Sequence, residues 1–344
     1  MPPLGFSRMS NTSPATQGRR LVFPAKQQVH IENFDLPPVG DDQVLVRTQF
    51  SLMSTGTENI VFNRLFDAGT HWDNWVKYPF YPGYSTVGLV EASNSPSLKP
   101  GDPVAMRVSH QSHTVTNAKE CFPIPRSQPL EEAAWFALAK IAWHGAKAAE
   151  YRLGDTVLII GAGPIGQMTI RWAAASGAAV IIVVDSAPER MQMATAGGAT
   201  EVISLPIDQA REKILAANGG QLPRVVVDTT GNAFVFAAAL GLADRFGKVV
   251  VLGDTGSPAS QKLTPDVVTR GITITGTHDG LTTAEWTQAR IIELFFQMAK
   301  TGRFPLAGMN THYFKPEECA KAYETANRDR AKTMGIAFDW RANS

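Results

Sequence analysis

The sequence has 344 residues, of which 44% are hydrophobic and 18% are charged. At roughly 150 residues per domain this length predicts about two domains, and the composition excludes wholesale disorder and fibrous repeats. The 32 basic residues balance 31 acidic ones, for a formal net charge of +1. Because the chain has no basic block, we expect no nucleic-acid partner.

The two cysteines, Cys121 and Cys319, lie far apart in the sequence. They can form neither a disulfide framework nor a multi-cysteine zinc site, which favours a reducing, cytoplasmic compartment. Gly or charged residues interrupt every long apolar run, so we expect no transmembrane helix and no membrane partner.

Residues 1–20 lack acidic side chains, and the first acidic residue is Glu32. Arg8, Arg19, Arg20 and Lys26 stand among Ser, Thr and Pro, a composition that resembles a transit peptide. Since the segment shows no clear amphipathic helix, we predict a flexible N-terminal arm over residues 1–20.

From Leu21 to about Val115 the sequence reads as short strands separated by Pro and Gly turns. The predicted strands include Gln43–Phe50, Thr86–Glu91 and Val104–Val108. This region is therefore an all-β module. Between Ser127 and Glu150 the apolar residues follow a helical period, which marks the join to the next domain.

From Thr156 onward, six apolar strands alternate with helices. The strands are TVLII, AVIIVVD, EVIS, RVVVD, KVVVL and ITIT. This alternation predicts an α/β fold with a doubly wound parallel sheet covered on both faces. A helix over Glu285–Lys300, a second over Glu317–Asn327 and a strand at Gly335–Phe338 are expected to pack back on the first module. The predicted domains are thus 21–142 with 283–344, and 143–282.

A dinucleotide-binding signature follows the first of these strands: Gly161-Ala162-Gly163-Pro164-Ile165-Gly166. Gly161 permits the tight turn, Gly163 lets backbone amides approach the pyrophosphate, and Gly166 allows close helix packing. The helix that begins here would present its positive end to the pyrophosphate. The strand before this motif, the helix after it and an acidic residue further along the chain all fit the same signature, so we predict dinucleotide binding.

That acidic residue is Asp185, at the end of the next strand. It can accept a hydrogen bond from the adenosine ribose and would repel a 2′-phosphate, which favours NAD over NADP. The alternative is that Asp185 only caps the helix near Pro188. Arg190 is either a cofactor contact or a solvated helix residue. The other predicted cofactor residues lie at strand ends facing the same crevice, where simple turns are the alternative: Ser186, Thr229, Thr230, Gly231 and Gly253.

Several motifs in the same order resemble the medium-chain dehydrogenase/reductase, alcohol dehydrogenase-like superfamily, over about Leu21 to Trp340. They are STGTE at 54–58, YPGYSTVG at 81–88, LKPGDPV at 98–104, EEAA at 131–134 and GDTVL at 154–158, followed by GAGPIG. The resemblance implies a GroES-like β domain, then a Rossmann domain, and a C-terminal return to the first domain.

The departures from the family pattern concern zinc. The three catalytic ligand positions are occupied by Thr55, Tyr84 and Ala137, and the four-cysteine structural loop is missing. The resemblance therefore implies a zinc-independent member with no metal. The STGTE and PGYSTVG motifs are most similar to the branch containing the bacteriochlorophyllide dehydrogenases, but scaffold motifs do not determine a substrate.

Without zinc, side chains must stabilise or protonate the developing oxyanion. Thr57 stands where the family has a proton-relay hydroxyl, and Tyr84 stands at a ligand position that faces the cleft. Lys140 interrupts an apolar helix segment and could neutralise an oxyanion. The respective alternatives are a buried turn hydroxyl, a packed core aromatic and a lysine that reaches solvent.

Other residues are more ambiguous. His110, His113 and His144 are interpreted as structural. An aromatic segment could cover an apolar substrate, or could be a packed loop or interface; its members are Trp72, Trp75, Tyr78, Phe80 and Tyr81.

Together these features predict a zinc-independent, NAD(H)-linked oxidoreductase acting on a small-molecule alcohol/carbonyl pair. Reduction of an enone or quinone C=C bond is a second possibility, and a catalytically silent cofactor-binding protein is a third. The β-branched segment GITITG, Gly271 to Gly276, would form the edge of the Rossmann sheet, so we predict a homodimer formed through it.

Overall fold

The computed structural model describes residues 15–341 of the chain. The first domain is built mainly on antiparallel strands. Its strands are β1 (Gln17–Val22), β2 (His30–Asp35), β3 (Gln43–Leu52), β4 (Thr86–Ser93), β5 (Pro103–Met106), β6 (His113–Asn117) and β7 (Cys121–Pro123). Its helices are α1 (Thr55–Asn63), α2 (His71–Trp75), α3 (Leu130–Ala133) and α4 (Phe136–Ala149).

Regular secondary structure begins at Gln17, the first residue of β1. β1 pairs with β2 in an antiparallel hairpin, so residues 17–20, which the sequence placed in the N-terminal arm, belong to a strand. The remainder of that predicted arm, residues 1–14, lies outside the described residues.

The second domain contains a six-stranded parallel sheet in the order β10-β9-β8-β11-β12-β13. The strands are β8 (Thr156–Ile160), β9 (Val180–Asp185), β10 (Glu201–Ser204), β11 (Val225–Asp228), β12 (Lys248–Val251) and β13 (Thr273–Gly276). The helices are α5 (Pro164–Ala175), α6 (Met191–Ala196), α7 (Arg211–Ala217), α8 (Ala233–Leu242) and α9 (Asp266–Thr269). The predicted α/β class and all six predicted strands are confirmed.

The C-terminal segment returns to the first domain. It contains α10 (Gln288–Lys300), β14 (Asn310–Phe314), α11 (Cys319–Arg328) and β15 (Gly335–Asp339). β15 pairs antiparallel with β3, with Phe338 opposite Ser51, and extends a sheet ordered β14-β15-β3-β4-β5-β7. Within residues 15–341, no helix is long and apolar enough to cross a membrane.

Helix α4 joins the two domains through a shared hydrophobic core. The residues from Trp135 to Ala139 are fully buried, and they pack in one cluster with side chains of the first sheet, α5 and α10. The indole of Trp172 on α5 donates a 2.8 Å hydrogen bond to the Ala139 carbonyl. Because α4 is continuous across position 142, the predicted domain boundary falls inside a buried helix.

A buried polar network holds the first domain together. The carboxylate of Glu58 accepts hydrogen bonds from the Ser54 amide at 2.8 Å and from the Tyr323 hydroxyl at 2.5 Å, and it pairs with Nε2 of His110 at 3.1 Å. His110 Nδ1 lies 2.7 Å from the Ser51 hydroxyl. Since buried polar groups require partners, these contacts connect β3, α1 and α11.

Candidate active site

The turn between β8 and α5 is shaped to admit a phosphate group. Gly161 has a φ of +94°, and a Cβ on Gly166 would lie 1.9 Å from the Gly161 carbonyl oxygen, so neither position tolerates a side chain. Gly163 is more open, since a Cβ placed there would come no closer than 3.7 Å to Nη1 of Arg190. This open space at the N-terminus of a twelve-residue helix fits the pyrophosphate of a dinucleotide.

Asp185 lies beside this turn. Its Oδ2 accepts a 2.7 Å hydrogen bond from the Ala162 amide, and its Oδ1 accepts one of 2.8 Å from the Ala187 amide. The carboxylate therefore binds the amide two residues further on, but the short helix at Pro188–Arg190 has no side-chain cap. Asp185 also borders the phosphate turn. Ser186, next in the chain, is exposed.

Arg190 is held at the edge of the same turn and is not a solvated helix residue. Its Nη1 lies 3.0 Å from Oδ2 of Asp185, and its Nη2 donates a 2.5 Å hydrogen bond to the carbonyl of Arg330. The guanidinium thus connects the cofactor turn to the C-terminal segment of the first domain.

The other predicted cofactor turns converge on this edge of the sheet. Thr229 Oγ1 donates to the carbonyls of Ile160 and Gly161 at 2.9 and 3.1 Å. A Cβ on Gly253 would lie 2.3 Å from the amide nitrogen of Gly231. Thr230 uses its hydroxyl locally, on Asp228. The ends of β8, β11 and β12 therefore meet, as the parallel topology requires.

Tyr84 and Thr57 come together in the first domain. The phenol of Tyr84 donates its single proton to the Ser54 hydroxyl. The Thr57 hydroxyl lies 3.3 Å from the phenol oxygen and donates to it. Burial raises the pKa of Tyr84, although the hydrogen bonds with Ser54 and Thr57 oppose the shift. The phenol therefore keeps its proton at neutral pH and can donate it to an acceptor.

Lys140 lies elsewhere in the site, and the interpretation that it reaches solvent is wrong. Its side chain is only 2% exposed, and its ammonium lies 2.7 Å from Oδ1 of Asp279. It also donates to the Asp279 backbone carbonyl at 2.8 Å. Burial lowers the pKa of Lys140, and the charge of Asp279 acts in the opposite direction.

Sequence reasoning missed two residues that complete this cluster, Asp279 and Arg107. Nη2 of Arg107 lies 2.6 Å from Oδ2 of Asp279, and its guanidinium carbon lies 4.7 Å from the ring centroid of Tyr84. Burial disfavours the charged form of Asp279, but Arg107 and Lys140 hold the pKa of this carboxyl below its usual value. Asp279 follows the last parallel strand by three residues, and this position at the carboxyl edge of the sheet could have marked it as a candidate site residue.

Two of the three candidate histidines lie beside carboxylates, and the third is neutral at pH 7. His110 belongs to the Glu58 network, and His113 lies 3.6 Å from Glu91. His144 is buried on α4, where burial and then the charge of Lys140 lower its pKa to about 4.

The aromatic segment is packed in part, whereas Trp75 and Tyr81 are 52% and 37% exposed. Trp72 is buried, and the Tyr78 hydroxyl donates to the Val61 carbonyl at 2.6 Å. Nε2 of His71, on the same segment, lies 2.9 Å from Oδ2 of Asp254 in the second domain. The segment therefore fixes the two domains against each other.

The residues at the expected zinc position do not fit that metal. Thr55, Tyr84 and Ala137 offer two hydroxyls and a methyl group in place of the Cys, His and Glu donors that zinc prefers. In the part of the chain that the structure describes, no group of three His, Cys, Asp or Glu side chains could hold a metal ion.

Known proteins show the same architecture. The profile of the zinc-binding dehydrogenase family matches residues 164–297. L-threonine 3-dehydrogenase of Bacillus subtilis is 26% identical, over 84% of this chain and 89% of its own length. Sorbitol dehydrogenase of Ovis aries is 25% identical, over 95% of this chain and 98% of its own.

Solved structures agree on the fold. An Escherichia coli oxidoreductase/dehydrogenase of unknown specificity, involved in membrane biogenesis, superposes with a TM-score of 0.82 at 19% identity, over 94% of this chain and 99% of its own. The predicted placement near the bacteriochlorophyllide dehydrogenases stays a prediction. These comparisons agree with the resemblance to the medium-chain dehydrogenase/reductase, alcohol dehydrogenase-like family, because the chain is similar in sequence to dehydrogenases over most of its length.

Proposed function

We propose that this protein is a zinc-independent, NAD(H)-linked oxidoreductase that interconverts an alcohol and a carbonyl compound. The observation that carries the proposal is the phenol of Tyr84, hydrogen-bonded to Thr57 and Ser54 at a position where the resemblance implies a zinc ligand. A phenol that keeps its proton supplies a hydrogen-bond donor to a substrate oxygen without any metal.

The dinucleotide, when bound, supplies or accepts the hydride. The chain's own residues position it and handle the proton. The amides at the start of α5 bind the pyrophosphate. The Tyr84 O–H turns from the Ser54 hydroxyl to the substrate oxygen and donates to it as negative charge develops there. Thr57 and Ser54 orient the phenol through their hydroxyls. Lys140 contributes by holding Asp279, since two of its three donors are used on that residue.

The preference for NAD over NADP rests on Asp185. Its carboxylate borders the turn that receives the dinucleotide, where it can accept from a ribose hydroxyl and would repel a 2′-phosphate. Arg190 neutralises part of the charge of Asp185. Because the guanidinium is used in this ion pair, it is not free to bind the 2′-phosphate of NADP.

A cofactor assay with a substrate panel tests the proposed function. With NADH, we expect oxidation in the presence of aldehydes or ketones, and we expect the rate to survive dialysis against a chelator. If enones or quinones are reduced faster than aldehydes and ketones, the proposed activity would be C=C reduction and not carbonyl reduction. NADH binding without turnover on any member would favour a catalytically silent protein, and loss of activity on chelation with recovery on added zinc would contradict zinc independence.

Tyr84→Phe should lower kcat by about 10²- to 10⁴-fold, the usual contribution of a positioned general acid, and leave NADH affinity unchanged. Steady-state kinetics and NADH titration measure the two quantities. Tyr81→Phe is the matched control, because its hydroxyl lies on the surface near Arg20. If Tyr84→Phe turns over like the wild type, Tyr84 is not the proton donor.

Asp185→Ser should shift the ratio of kcat/KM for NADH over NADPH toward NADPH by about tenfold or more, because the change removes the opposing charge and frees Arg190 for a phosphate. Glu189→Ser is the control, since it removes an equal charge from the same turn. A wild-type enzyme that prefers NADPH would show the assignment to be wrong.

We also propose a homodimer formed along β13, the edge strand of the parallel sheet. Large apolar side chains are exposed on and near the adjoining segments; Phe246, Leu263 and Val268 are 73%, 68% and 86% exposed. An unpaired strand edge together with exposed apolar residues favours pairing with a second copy.

Light scattering should therefore give twice the chain mass of 37.2 kDa. Val268→Lys should shift the equilibrium toward monomer by placing like charges in the interface, with the fold retained because the side chain is already exposed. Leu153→Lys, at a residue that is 90% exposed on another surface, should leave the dimer intact. A monomeric wild type at micromolar concentration would refute the proposal.

A further inference from the structure

The cluster at the active site carries more positive than negative charge. Arg107 and Lys140 share one carboxylate, that of Asp279, and each of its oxygens is already used: Oδ2 by Arg107 and Oδ1 by Lys140. Two cations against one anion leave a net charge of +1. Lys140 is 2% exposed, so water screens this excess poorly.

Arg107 also has unused hydrogen-bonding capacity. Its Nη1 is buried and has no acceptor among residues 15–341. A buried donor without a partner costs free energy, and a guanidinium presents its donors in a planar fork suited to carboxylate or phosphate oxygens. An anionic group arriving beside Arg107 would therefore satisfy the donor and balance the charge.

The neighbouring titratable groups do not supply that balance. His144 is neutral at pH 7, with a pKa of about 4, and Tyr84 keeps its proton. Glu58 lies behind Tyr84, but its carboxylate is bound by His110, Tyr323 and the Ser54 amide. The excess positive charge of the cluster is thus not balanced by these neighbours.

We propose that the substrate carries an anionic oxygen group, a carboxylate or a phosphate, and that Arg107 binds it next to the oxygen contacted by Tyr84. This inference rests on the proposed function and specifies its substrate class. The 4.7 Å between the Arg107 guanidinium carbon and the Tyr84 ring means that a compact molecule can reach both residues. Hydroxy acids and polyol phosphates have the required chemistry, whereas neutral alcohols lack the anion.

Two pairs of probes, similar in structure but different in charge, test the proposal: lactate against lactamide for a carboxylate, and glycerol 1-phosphate against glycerol for a phosphate. Each is assayed with NAD at constant ionic strength, and each is also titrated calorimetrically into the NADH-saturated protein, which measures binding without turnover. We expect the charged member of one pair to exceed its neutral partner by about 10- to 100-fold in affinity or kcat/KM, the usual contribution of a hydrogen bond to a charged group.

Arg107→Met should abolish this difference, and Arg107→Lys should retain part of it. Arg126→Met is the control, because Arg126 forms an exposed pair with Asp102 on the surface. The proposal is overturned if neither charged probe binds better than its partner, or if Arg107→Met keeps the discrimination. Turnover of neutral probes without discrimination would refute this inference alone, whereas charge-selective binding without turnover of any carbonyl would refute the proposed function alone.

Discussion

The burial of α4 is the constraint on which the geometry of the site depends. The buried side chains of this helix share one core with side chains of the first sheet, α5 and α10, so the core is continuous between the domains. Protein cores are packed too densely for such a helix to slide without loss of contacts. Lys140 is therefore carried to a fixed place between the two domains, and its ammonium, removed from water, requires the carboxylate of Asp279.

In the proposed metal-free site, a polar network positions the phenol of Tyr84. Glu58 binds the Ser54 amide, and the Ser54 hydroxyl in turn accepts from the phenol of Tyr84. The phenol is thus oriented by residues that are themselves held by His110 and Tyr323. Interactions of this kind restrict a catalytic group to one rotamer, which is the requirement that any metal-free site must meet.

The sequence predicted what depends on local pattern. Apolar runs identified all six parallel strands, and the glycine spacing placed the cofactor turn where the close approach of Gly166 to Gly161 requires it. Contacts between distant residues were not accessible in this way. Arg107 and Asp279 are 172 positions apart, and neither belongs to a motif, so only the folded chain brings them together. The sequence left the placement of Lys140 open for the same reason, because a lysine in an apolar helix segment gives the same pattern whether it reaches solvent or pairs with a distant carboxylate.

Both halves of the site contain an arginine whose partners lie in the other domain. At the cofactor turn, Arg190 of the second domain reaches the Arg330 carbonyl; at the substrate end, Arg107 of the first domain reaches Asp279. Each contact is a charge-assisted hydrogen bond, which is stronger and more directional than a neutral one. A change in the separation of the domains would therefore disturb the cofactor turn and the Tyr84 environment together. If the dinucleotide and the substrate bind as proposed, these two guanidinium groups would couple the binding of one to the placement of the other.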